Sequence, residues 1–215
     1  MTPPNNRPPP SPDPEGPLTS RFPDLLDQLA AKTPAPGGGA AAGMAGAIAA
    51  ALGEMVAAYS LRDEAPGFAA TAEALAAARS GLMVAARDDA DAYARYTEAR
   101  RYAKSAGIDP KAADRVLLAA QHCVDVPLRM LTACLDVLEC LHRDARAVKP
   151  VIASDQAIAG ALAEAAAASA AWTALINTPL LTHPETRAAK EAQARAGLAR
   201  ARELRDAISA ATAPR

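Results

Sequence analysis

The stretch Lys32–Ala57, KTPAPGGGAAAGMAGAIAAALGEMVA, limits this chain more than any other. Pro34 and Pro36 stiffen an extended entry, because each fixes φ and biases its predecessor away from the helical region. Gly37, Gly38 and Gly39 let the backbone approach another group closely. The helix that follows has almost no side-chain bulk, and its first free N–H groups point back at the glycines. A helix start on a bare loop suits an anion or a polarised carbonyl. No Lys-Ser or Lys-Thr follows the glycines as a P-loop requires, and no strand precedes them as a dinucleotide fingerprint requires. The packing alternative is a stripe of Met44, Ile48, Leu52, Met55, Val56 and Tyr59 at helical spacing. The uncharged run from Thr33 to Gly53 is too rich in Ala and Gly for a membrane span, and Glu54 ends it.

Further along, every segment reads as helix. Leu25, Leu26 and Leu29 predict a short helix over Phe22–Ala31 with those leucines inward, and the glycine-loop helix ends near Leu61. Pro66 and Gly67 precede a long helix from Phe68 to Ala106, striped by Leu75, Leu82, Met83, Ala86, Ala90 and Tyr93. Gly107 stops it, and Asp109 with Pro110 restarts the chain as N-cap and first-turn residue. The next helix reaches about Ala147 with Val116, Ala120, Val124, Leu128, Leu131, Leu135 and Leu138 on one face. Pro127 inside it predicts a kink near Cys123. Ser154 reads as an N-cap with Asp155 in the first turn, opening a helix that ends near Asn177 and Pro179. Thr182 and Glu185 have capping-box spacing for a last helix to about Ala210. The expected architecture is all-α: an antiparallel bundle of about six helices spanning residues 20–215.

Aromatic residues make up only 3% of the chain, and Ala dominates, so the helices are expected to pack closely. Residues 1–19 form a Pro-rich tail expected to be disordered; residues 1–17 hold eight of the eighteen prolines and no apolar core, unlike a signal peptide. A formal charge of −1 argues against nucleic acid as a partner. Cys123, Cys134 and Cys140 lack zinc spacing and read as reduced thiols of a cytoplasmic protein.

Three blocks resemble the cyclodeaminase/cyclohydrolase family, which includes the C-terminal domain of formiminotransferase-cyclodeaminase and the bacterial methenyltetrahydrofolate cyclohydrolases. They are Leu25–Ala57, Arg87–Tyr96 (RDDADAYARY) with Val124–Leu141, and Ala153–Asn177 (ASDQAIAGALAEAAAASAAWTALIN). The resemblance implies a homodimer acting on 5-formimino- or 5,10-methenyltetrahydrofolate, with no metal and no cofactor beyond the folate substrate. It carries Asp89 and Asp155 over as candidate catalytic carboxylates. Pro36, Gly37, Gly38, Gly39 and Ser154, with Lys149, are candidate substrate-binding residues. Asp88, Asp89 and Asp91 would perturb one another's titration if buried. His122 and His142 read as bystanders and Trp172 as packing. The chain departs from the family in LRDEAPG, where relatives carry a Gly-Lys-Lys-Lys-Tyr-like run. It departs again at Val148-Lys149, where relatives have Gly-Asn, and at Thr173-Ala174, where they have Asn-Val. Arg146 and Lys149 are candidate replacements for the lost charge. The alternative reading is a non-catalytic member: a dimer that binds a folate-like ligand or a protein partner.

Overall fold

The computed structural model describes residues 22–33, 35–61 and 67–213, in two compact units, Met1–Pro36 and Gly37–Arg215. The expected tail at 1–19, Pro34, and the segment from Arg62 to Pro66 lie outside the described residues. In the first unit the described helix is α1 (Phe22–Ala30), none of whose residues is buried. Leu25 and Leu29 are half-buried, but Leu26 is exposed, contrary to expectation. Leu25 and Leu29 are four apart and share a line; Leu26 lies about 100° round the helix.

The second unit holds α2 (Gly38–Ser60), α3 (Gly67–Ala106), α4 (Pro110–Asp144), α5 (Ala153–Asn177) and α6 (Pro184–Thr212). Short 3₁₀ turns, Pro150–Ile152 and Thr178–Leu180, flank α5, and no strand occurs among the described residues. Contacts fix the directions. Gly39 meets Asp89 while Val56 and Ala57 cluster with Phe68, so α2 and α3 are antiparallel. Cys123 reaches Ala92 while Thr71 reaches Asp144, so α3 and α4 are antiparallel too. Gln156 bonds the Leu141 carbonyl and Asn177 that of Cys123, which sets α5 against α4 in the same sense.

The packing of α2 reverses one expectation. Val56 is buried, but Ile48 is half-exposed and Tyr59 more so, because the core face of α2 is its glycine and alanine face. A Cβ at Gly43 would stand 2.9 Å from the Ala86 Cβ and 3.0 Å from the Leu82 carbonyl oxygen. Only a bare backbone permits that approach. Ile48 and Tyr59, too large for this seam, face outward. Along α3 the buried line is Leu75, Leu82 and Ala86, while Met83 and Tyr93, expected inward, are exposed. Continuing that line by three residues arrives at Asp89. By length and apolarity α2 and the Pro150–Leu180 segment could each cross a membrane, yet roughly half of each window is buried in the bundle.

Caps and breaks follow local chemistry. Asp109 caps α4 as expected, its carboxylate accepting from the Lys111 amide at 2.9 Å. Gly107, at φ 69°, makes the left-handed turn between α3 and α4. Ser154 is not an N-cap: Pro150 starts a 3₁₀ turn that runs straight into α5, so Ser154 is already inside the helix. The Thr182–Glu185 capping box is likewise absent, because Pro184 takes the first helical position and makes His183 the cap residue. Within α4, Pro127 cannot donate to the Cys123 carbonyl one turn back. The Asn177 side-chain amide fills that vacancy at 2.8 Å.

Candidate active site

The glycine turn and one acid come together. Gly37 is the N-cap of α2, with extended backbone and no side-chain cap, and its carbonyl receives the Ala41 amide at 3.0 Å. Buried Gly39 lies against the Asp89 carboxylate, and a methyl group on Gly39 would overlap its oxygens and Cγ. The first turn of α2 therefore faces an anion that the chain itself supplies, in the position that a helix dipole favours. Burial pushes the Asp89 carboxyl above the usual aspartate range. Among the described residues none donates a hydrogen bond to it or pairs with it as an ion. A half-buried, unpartnered carboxyl with a raised pKa holds its proton more readily than an ordinary aspartate and is a candidate for proton transfer.

The neighbouring acids differ. Asp88 pairs with Arg129 at 3.4 Å, and Asp91 is exposed. The cause of the Asp89 shift is burial rather than mutual repulsion among the three. Behind it, the Cys123 thiol contacts the Ala92 carbonyl at 3.5 Å and is pushed up to about 11 by burial and then by Asp89. It stays protonated at neutral pH and is no nucleophile. Cys134, deeper in the core, is pushed up to about 12.

The remaining candidates are elsewhere. Lys149 is exposed, and its amide meets the Ser60 hydroxyl at 3.5 Å, at the far end of α2. Ser154, exposed, and Asp155, half-buried, open α5 at that same end. At 1.5 Å per residue, α2 separates the Gly39–Asp89 pair from this second group by about 30 Å. Within one chain they do not share a cleft. Pro36 belongs to the first unit. Beside the start of α2, a cleft of about 500 Å³ is lined by Gly38, Ala41, Ala45, Ser169 and Trp172. Trp172, expected as packing, is 64% exposed there. No group of three or more potential metal ligands occurs among the described residues.

Sequence reasoning placed Asp89 among the candidates but missed its apposition to Gly39. The signal was its register, three residues past the buried Leu75–Leu82–Ala86 line. Also missed was a groove between α3 and α4, which contains His122.

The class is thus an antiparallel all-α bundle whose glycine-opened helix is set against one half-buried acid. Residues 21–196 match the formiminotransferase-cyclodeaminase family, and the chain belongs to it. Among solved structures, a formiminotetrahydrofolate cyclodeaminase from Thermotoga maritima shares the fold at 22% identity and a TM-score of 0.79. The match covers 88% of this chain and 94% of that one. A search of curated proteins returned no match.

Proposed function

We propose that this chain is a folate one-carbon enzyme, acting on 5-formimino- or 5,10-methenyltetrahydrofolate, with Asp89 as its general acid and base. The observation that carries this reading is the half-buried, unpartnered Asp89 carboxyl at the start of α2, together with family membership. In the deaminase direction, N10 of the folate attacks the formimino carbon and loses its proton. The former imine nitrogen is protonated, and its bond to carbon breaks to release ammonia and leave the methenyl bridge. In the hydrolase direction, water adds to the methenyl carbon and gives up a proton; the bond to N5 then breaks as N5 takes one, and the adduct hydroxyl releases its proton to leave the N10-formyl group. Each route needs a group beside the one-carbon centre that both accepts and donates a proton, a task that a carboxyl with a burial-raised pKa suits. Gly37–Gly39 would hold the substrate beside it through the free amides of α2.

Lys149, Ser154 and Asp155 join this reading through a homodimer. The outward positions of α5 include Ile158, Ala165, Ser169, Trp172 and Ile176, which recur at helical spacing and carry no charge. Ile48 and Tyr59 of α2, a helix that lines a cleft with α5, are exposed as well. A second copy packed antiparallel over this face would bring one chain's Lys149 end to the other's Asp89 end.

The deciding experiment follows the loss of methenyl-folate absorbance, and ammonia release from formimino-folate, with purified protein. Asp89→Asn should slow the active reaction by about a hundredfold or more. No acceleration over buffer of either reaction, or an undiminished Asp89→Asn variant, would refute the catalytic assignment.

A further inference from the structure

Beyond Asp89, α3 runs on past the start of α2 and pairs with the first turns of α4. Between these two helices lies a groove of about 540 Å³, a size suited to a small organic ligand. Its walls include Ala92, Ala99, Ala119, Val126 and Leu118, with the Tyr102 ring at one end and Asp88 at the other. From Asp88 to Tyr102 the groove is about 21 Å long at the helical rise. It begins one residue from Asp89 and leads away from it.

The charges in the groove differ in how they are engaged. Arg129 is occupied by Asp88 at 3.4 Å. Arg115 lies over the Tyr102 ring at 5.3 Å, which orients its guanidinium without neutralising it. Arg95 has no carboxylate within ion-pairing distance among the described residues. Asp91 and Glu98 flank Arg95 on the same helix and are acceptors for a ligand that also offers N–H groups.

Resting on the folate reading, we infer that this groove receives the aryl-glutamate end of the substrate. The flat aromatic ring lies along the alanine and leucine walls. Glutamate carboxylates meet Arg95 and Arg115, and the amide N–H groups of the glutamyl chain meet Asp91 and Glu98. Guanidinium groups hold carboxylates well because two parallel N–H donors match two oxygens. The one-carbon centre at the other end of the ligand is then directed toward Asp89. This site would supply anion capture in place of the basic run that LRDEAPG lacks.

The test is calorimetric titration with p-aminobenzoyl-γ-triglutamate, which has no pterin, and with 5-formyltetrahydrofolate triglutamate. Binding of both is expected, weakened about tenfold or more in Arg95→Gln and in Arg115→Gln. Leu118→Glu, at an exposed position, should weaken it through repulsion without disturbing the core. Arg101→Gln, the same charge change outside the groove, should not alter it. If the intact folate binds and reacts but Arg95→Gln and Leu118→Glu leave its affinity unchanged, the groove assignment fails and the enzyme reading stands. A chain that takes up the pterin-free probe through Arg95 but turns over no folate keeps the groove and loses the enzyme reading.

Discussion

Replacing Gly39 and Gly43 with alanine, one at a time, separates site from scaffold with the same chemical change one helical turn apart. At Gly43 the new methyl group meets the Ala86 Cβ at 2.9 Å and the Leu82 carbonyl at 3.0 Å, atoms that move only if α3 moves. Overpacking of that kind costs about 1–3 kcal/mol. The better helix propensity of alanine returns about 1 kcal/mol. The net destabilisation of about 0–2 kcal/mol lowers Tm by up to about 8 °C in a chain of this length. At Gly39 the atoms nearest the methyl group belong to the Asp89 carboxylate, the far end of a side chain rather than backbone. Stability should then stay within about 1 kcal/mol of the parent. The carboxyl, however, turns toward water, loses the burial that raised its pKa, and titrates closer to an ordinary aspartate. Folate turnover by Gly39→Ala should fall by about a hundredfold or more, and the carboxylate limb of its pH–rate profile should move to lower pH. Thermal melts and pH profiles of the two variants are the assay. A Gly39→Ala enzyme with the parent's rate and pH limb would refute the claim that contact with Gly39 tunes Asp89.

Three further outcomes follow from the same contacts. Because burial raises the Asp89 pKa in the folded chain, its penalty is absent in acid and grows as pH rises from the ordinary aspartate range through the raised value. Asp89→Asn should therefore be more stable than the parent at neutral pH, with the gap closing in acid, as urea midpoints at the two pH values will show. Asn177→Ala strands the Cys123 carbonyl that Pro127 leaves unbonded, and should cost about 1–3 kcal/mol in chemical denaturation without altering the Asp89 titration. Trp172→Glu and Ile158→Lys place charges on the apolar face of α5, and sedimentation should show the proposed dimer dissociating; a species of unchanged mass would exclude that face as the interface.

The helices were legible because their signals are local. Asp109–Pro110 marked the start of α4 and Gly107 the end of α3, and the Val124–Leu128–Leu131–Leu138 face is buried as its spacing implies. Which face of α2 turns inward was not legible from hydrophobicity, since the residues that most favour burial by transfer are excluded by the tightness of the seam. Ile48 and Tyr59 lose that contest to Gly43 and Gly46. The capping residues of α5 and α6 were misjudged because a proline sets the start of each segment more firmly than a hydroxyl side chain does. As for the site, Asp89 and the glycines were each visible. Their meeting depends on the relative lengths of α2 and α3, which no local pattern encodes. The α3–α4 groove was hidden for the same reason: its residues look like an ordinary solvated helix surface until α2 is seen to stop short of them.

The bond from Asn177 to the Cys123 carbonyl, which Pro127 leaves open, ties the middle of one rod to the last residue of another, 54 positions later in synthesis. A nascent chain that has completed α4 but not α5 still carries an open backbone acceptor at its centre. That rod reaches its final bonding pattern only when the end of α5 docks, so a fragment cut before Asn177 should be frayed in the stretch that lies directly behind Asp89.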